Sequence, residues 1–178
     1  MATWNIDSGH SAVHFGVRHM MFTKTRGRFT RWSGELRLDP ANLPASSVEV
    51  IIDAASIDTG DAQRDGHLRS ADFLDAEKFP HITFRSTKVE DLGAGKLRVS
   101  GELTIHGVTR PVVLDTEFAG RVKDPWGNDR AGFAARTAID RTEFGLRWNQ
   151  TLETGGLLVG NKVEIELEVE AVAAAKAA

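Results

Sequence analysis

Three histidines at positions 10, 14 and 19 are the first groups whose spacing suggests chemistry, because imidazoles are common transition-metal ligands. Residues four apart on a β-strand share a face, so His10 and His14 could converge on one ion, whereas His19 has the opposite parity. No further ligand stands at a recognisable spacing, and the three read as surface or hydrogen-bonded groups. Asp58, Asp61 and Asp65 suggest a calcium loop, but the D-x-D-x-D-G run and its distal glutamate are absent. Asp61 reads better as a helix N-cap, since its carboxylate can accept orphan backbone N–H groups. Arg64, Asp65 and Arg69 would then form charge pairs that anchor the helix. There is no G-x-S-x-G elbow, no P-loop and no G-x-G-x-x-G after a strand. Gly93-x-Gly95 is a hairpin turn, and the run from Gly155 to Gly160 has no lysine to hold a phosphate. With no cysteine, thiol catalysis, disulfides and thiolate-bound zinc are excluded. Trp4, Trp32, Trp126 and Trp148 each lie near a strand end or turn and read as core plugs or closures of a barrel mouth. The residues thus offer no catalytic constellation, no metal site and no cofactor site.

The elements that would position any site follow from the hydrophobic period. Val163, Ile165, Leu167 and Val169 alternate with Glu164, Glu166, Glu168 and Glu170, a period of two that a helix cannot produce. The same rhythm predicts eight strands, near 11–18, 25–38, 46–54, 81–89, 96–106, 110–122, 130–140 and 161–172. In the second of these Phe29 and Leu36 fall on opposite parities, which places a bulge near Ser33-Gly34. The stretch 55–80 is too long for a hairpin, and 61–79 has helical character ending at Pro80. Short strands with one apolar face each point to an antiparallel sandwich or barrel. An eight-stranded barrel holds either a packed core or one small ligand, and periodicity does not distinguish the two.

The 178 residues form one expected domain over 1–172, with a frayed Ala-rich tail at 173–178. The composition is 41% hydrophobic and 26% charged, as in globular proteins, and a net charge of −3 disfavours nucleic acid as partner. No apolar run approaches a bilayer span, so no stable membrane insertion is expected. The segment MATWNIDSGH has neither a basic nor an apolar leader region, which gives a cytoplasmic expectation. The Glu-rich face of the last strand and exposed sheet edges leave room for a homodimer.

Several longer strings sharpen this reading. They are Trp4-x-Ile6-Asp7-x-x-His10-Ser11, Ser56-Ile57-Asp58-Thr59-Gly60-Asp61-x-x-Arg64-Asp65-x-His67-Leu68-Arg69-Ser70-x-Asp72-Phe73, and Lys78-Phe79-Pro80-x-Ile82-Thr83-Phe84. Further along stand Gly101-x-Leu103-Thr104-Ile105-His106-Gly107-Val108-Thr109, Asp124-Pro125-Trp126-Gly127 and Phe144-Gly145-Leu146-x-Trp148-Asn149. In this order, from residue 4 to about 170, the chain resembles the YceI-like family. The resemblance implies an all-β, eight-stranded antiparallel lipocalin-like barrel with a short helical insertion. It further implies a protein that holds one long apolar chain, a polyisoprenoid, prenyl quinone or fatty acyl group or amide, for carriage or storage without catalysis; the alternatives are an enzyme acting on a lipid or small apolar molecule and an interaction protein with a packed barrel. Many members carry a secretion signal, which the segment MATWNIDSGH leads us not to expect here, and the family supplies no agreed catalytic residues to carry over. The expected tunnel wall is the inward apolar set: Phe15, Val17, Phe29, Leu36, Val50, Ile52, Phe84, Val99, Leu103, Leu114, Phe118, Phe133, Ile139, Ile165 and Leu167. His14, Arg18 and His19 are the polar candidates at its mouth.

Overall fold

The computed structural model describes residues 1–175. Its first strands are β1 (Ala2–Ile6), β2 (Ala12–His19), β3 (Thr23–Phe29), β4 (Trp32–Leu38), β5 (Ser47–Asp53) and β6 (Ile57–Asp58). Helix α1 (Ala62–Arg69) follows, then β7 (His81–Gly93), β8 (Lys96–Ile105), β9 (Val108–Lys123), β10 (Asp129–Asp140) and β11 (Val159–Ala173). These segments make eight staves, because three staves are broken in the middle. β1 and β2 both pair with β11, β4 and β3 pair with β1 and β2, and β5 and β6 pair with β4 and β3. From β7 onward each strand pairs with its successor, and β11 returns to β1 and β2, closing an eight-stranded antiparallel barrel. Closure leaves β11 paired on both sides, so the last strand offers no free edge to a second copy.

The three breaks lie side by side. Asp7 and Asp53 each begin one by accepting a backbone N–H two residues ahead, from Gly9 and Ala55. The stave read as 25–38 breaks at Thr30-Arg31 rather than bulging at Ser33-Gly34. That break changes the parity, so Phe29 and Leu36 both reach the interior. Gly34 instead leaves room for Ile6, whose Cδ1 would lie 2.5 Å from an added Cβ. β1 itself was not predicted, because five residues with one buried tryptophan carry too little period.

Outside, charge follows register. Glu90, Arg98, Asp115, Arg136 and Glu166 are successive cross-strand neighbours on β7 to β11, alternating in sign. A one-residue slip of any strand would turn this belt into the apolar interior, which specifies the pairing strongly. The Glu row of β11 is likewise matched, with Lys24 bonded to Glu164 and Arg130 to Glu170.

The helical insertion is shorter than 61–79: α1 ends at Arg69, and hydrogen-bonded turns carry the chain to Phe79. Asp61 caps α1 as expected, accepting the Arg64 N–H at 3.0 Å. The expected pairing among Arg64, Asp65 and Arg69 does not form. Arg64 donates to the Thr59 hydroxyl and carbonyl, Asp65 accepts from the Thr59 N–H and hydroxyl, and Arg69 donates to the carbonyls of Ala55 and Ile57. Strand pairing stops at β6, and these side chains supply the partners its backbone then lacks. At the other end of the chain, Ala173 is still in β11 and the Ala174 N–H bonds to the Thr3 carbonyl at 2.9 Å. The start of the stretch read as frayed is therefore held by β1, and 176–178 lie outside the described residues.

Candidate ligand cavity

The barrel is hollow. A cavity of about 440 Å³ runs inside it, from Leu36, Leu38 and Leu43 at one end to His19, Arg141, Trp148 and Leu158 at the other. That volume is in the range of small-molecule sites, roughly 300–1,000 Å³. Two glycines help keep the lumen free. An added Cβ at Gly27 would stand 2.3 Å from the Phe15 ring, and one at Gly101 would stand 2.5 Å from the Phe84 ring. Both aromatics therefore lie flat along the wall, over a strand neighbour with no side chain, instead of crossing the barrel. Beneath the lower end, Trp4, Leu36, Leu38, Ala131 and Ala171 form a second core cluster that serves as a floor.

Of the fifteen apolar residues expected at the wall, Phe118 is the one that does not border this cavity. The β9–β10 register shifts between Gly132 and Phe133, and there Phe118 stacks on Phe133 with ring centroids 5.1 Å apart, against the floor cluster. Phe15, Val17, Phe29, Leu36, Val50, Ile52, Phe84, Val99, Leu103, Leu114, Phe133, Ile139, Ile165 and Leu167 all border it. His14, Arg18 and His19 also contribute atoms to the boundary, but all three are exposed. His14 and Arg18 alternate with the inward Val13, Phe15 and Val17, and His14 stands between Glu166 and Arg28 in the outer charge rows. His10 has its own partner, Asp7, to which it bonds at 2.9 Å.

Apart from Trp148, expected as a plug or mouth closure, the collar of the upper end is built by residues that the sequence did not place at the mouth. His67 and Phe73 come from the insertion and Trp148 from the β10–β11 connection, with ring centroids 4.7–5.4 Å apart. The Arg141 guanidinium lies 5.9 Å from the Phe73 centroid and is only 3% exposed. It donates to the carbonyls of Leu146, Trp148, Val159 and Gly160, stitching the β10–β11 connection back onto the barrel. Burial pulls its pKa below the ordinary arginine range, and the nearby Asp140 charge opposes this. Thr59 and Arg64 also border the cavity. One signal could have found part of this group: Arg64, His67, Phe73 and Trp148 stand in the strings that carry the family resemblance. Arg141 gave no such sign. The tryptophan reading holds for Trp4 and Trp148 but fails for Trp126, 82% exposed on a turn that Asp124 ties together.

Asp7, His10 and Glu170 bring ligand atoms within 4.8 Å of one another, as a metal site would. A cation already serves them: Arg130 reaches Asp7 at 3.0 Å, Glu170 at 2.6 Å and Asp124 at 2.8 Å. Hydrogen bonds from His10 and Arg130 hold the Asp7 carboxyl below the ordinary range, and Arg130 does the same for Asp124. Carboxyls with depressed folded pKa values stabilise the fold above their unfolded pKa and lose that contribution as pH falls. Stability to urea is therefore expected to fall from about pH 4 downward. Arg130→Met should be less stable at pH 7 and show a flatter acid limb; equal slopes in the two proteins would exclude this network as the cause.

The fold has counterparts among known proteins. The family model for the YceI-like domain matches residues 4–171. A UPF0312 protein of Vibrio cholerae is 44% identical over 163 residues, covering 92% of this chain and 82% of that protein. The crystal structure of BcnA from Burkholderia cenocepacia superposes with a TM-score of 0.82 at 27% identity, covering 93% and 98% of the two chains. A polyisoprenoid binding domain from Saccharophagus degradans shares the fold, with a TM-score of 0.69 at 18% identity over 98% and 100% of the chains. With its sequence matched from Trp4 to Ala171 and its barrel shared, this chain belongs to the YceI-like family.

Proposed function

We propose that the barrel holds one long apolar chain, a polyisoprenoid, prenyl quinone or fatty acyl group or amide, for carriage or storage and without chemical change. The observation that carries this reading is the apolar cavity running between Leu38 and Trp148. The family assignment supports it, as does a fold neighbour that binds a polyisoprenoid. Burial contributes about 0.8 kcal/mol per CH₂, so a run of methylenes suffices for tight binding with few polar contacts. The collar of Arg141, Arg64, His67 and Thr59 would then receive the polar end of the ligand, where a small number of oriented groups decides selectivity. The wall residues would contact the chain, and His19 would lie at its exit.

Native mass spectrometry of freshly purified protein, followed by denaturation and organic extraction, tests this directly. A stoichiometric adduct that extracts as an isoprenoid or fatty chain is expected. A clean apo mass that also refuses added prenyl quinone and fatty amide would overturn the reading.

A further inference from the structure

The hairpin joining β2 to β3 ends in Met20, Met21 and Phe22, and Met21 and Phe22 are 72% and 82% exposed. Such a turn ordinarily selects asparagine or glycine, because both central residues need positive φ. Here methionines occupy them, Met20 at φ 51° and Met21 at φ 65°. The turn is closed by the Phe22 N–H donating to the His19 carbonyl at 3.1 Å. It is pinned by the Met20 N–H donating to the Leu158 carbonyl at 2.8 Å. Gly156 lies against it, since an added Cβ there would stand 2.8 Å from the Met21 sulfur. Leu157, in the same loop, adds another large apolar side chain at 45% exposure. Large apolar groups gathered in water in this way mark an interaction surface.

The surrounding charge selects the partner. From Arg18 to Arg28 the hairpin carries Arg18, Lys24, Arg26 and Arg28 and no carboxylate, in a chain of net charge −3. Lys24 is bonded to Glu164 and Arg28 to Asp58, and among the described residues Arg18 and Arg26 have no ion pair. An apolar tip flanked by free cations matches the headgroup–acyl boundary of an anionic bilayer. The tip also adjoins the cavity: His19, Thr25 and Leu158 belong to the hairpin and its supporting loop and border the lumen as well. We propose that this tip inserts into the surface of an anionic lipid bilayer and sets the upper end of the barrel on the membrane. Docking stands on the hairpin itself; its use for taking up a water-insoluble chain rests on the function proposed above.

Flotation of the full chain with vesicles tests docking, using phosphatidylcholine alone and phosphatidylcholine with about 30% phosphatidylglycerol. The protein should float with the anionic vesicles and lose binding at high salt. Met21→Ser with Phe22→Ser should weaken partitioning by roughly tenfold or more, since two large apolar side chains are withdrawn. Arg26→Gln should weaken it by about fivefold. Trp126→Ser, at the opposite end of the barrel, should change nothing. Wild-type protein that ignores anionic vesicles, or a double variant that floats as well as wild type, overturns the proposal. So does a wild-type dimer that the double substitution converts to monomer without any vesicle binding, which would make the tip a self-association surface. A short-chain prenyl quinone added from solution separates the two readings. Loading unchanged in a double variant that no longer floats supports docking, and vesicle binding by a wild type that refuses the quinone removes the cargo reading alone.

Discussion

Leu103→Trp should abolish high-affinity loading while leaving a folded barrel. Leu103 is buried in the wall, with Phe84 as its cross-strand neighbour on β7, so the added indole has the lumen as its open direction. Overpacking should cost about 1–3 kcal/mol of stability, which a closed barrel of this size tolerates. Each methylene excluded from the lumen costs about 0.8 kcal/mol, so displacing four weakens binding by about 3 kcal/mol, or roughly 200-fold. Phe133→Trp provides the contrast. Phe133 borders the cavity beside the floor cluster, so enlarging it should shorten the lumen instead of blocking it. Long prenyl quinones should lose affinity by roughly 50-fold, the equivalent of three methylenes, while short ones bind as before. Native mass spectrometry with quinones of graded length reads both effects. Two folded variants that load every length like wild type would show that the chain does not occupy the lumen.

Arg141→Ala should be the most destabilising single change at the upper end of the barrel. The guanidinium is 3% exposed and donates to four backbone carbonyls, at 2.8 Å to Gly160, 2.6 Å to Leu146, 3.0 Å to Trp148 and 3.3 Å to Val159. Hydrogen bonds from a charged donor are among the strong ones, and truncation leaves several of these carbonyls without a partner. A loss of about 3–5 kcal/mol is expected, lowering the melting temperature by roughly 10 °C for a domain of this length. Arg141→Lys keeps the charge but not the planar fork, and should recover only part of the loss. Hydrogen exchange should place the damage at 145–160, the connection that the arginine holds, with β7 and β8 unaffected. A melting temperature within a degree or two of wild type would mean that water replaces the guanidinium at these carbonyls.

Most of the barrel was legible in the chain because each stave buries one face and wets the other. A period of two is the direct imprint of that arrangement, as in Val163 to Glu170 on β11. The weak points were those where period and pairing part company. β1 has one deeply buried side chain, Trp4, and is held as a strand by β4 and β11. The break at Thr30-Arg31 is set by Ser56 and Asp53, residues more than twenty positions away, through the Thr30 N–H to the Ser56 carbonyl and the Asp53 N–H to the Arg31 carbonyl.

The cavity wall was legible for the same reason, since inward parity is a property of each strand alone. Phe118 lies away from the lumen because a register shift against β10 cannot be seen in β9. The collar was hidden more completely. His67 and Phe73 come from the β6–β7 connection and Arg141 and Trp148 from the β10–β11 connection, and the two meet only once the barrel closes. By itself the sequence determined most of the strands, their inward faces and the family, because these depend on local alternation and on ordered strings. Whether those faces would fill the barrel or line an open lumen was decided by the tertiary structure. Glycines at 27 and 101 let rings from neighbouring strands lie against the wall, and which ring meets which glycine is a matter of register.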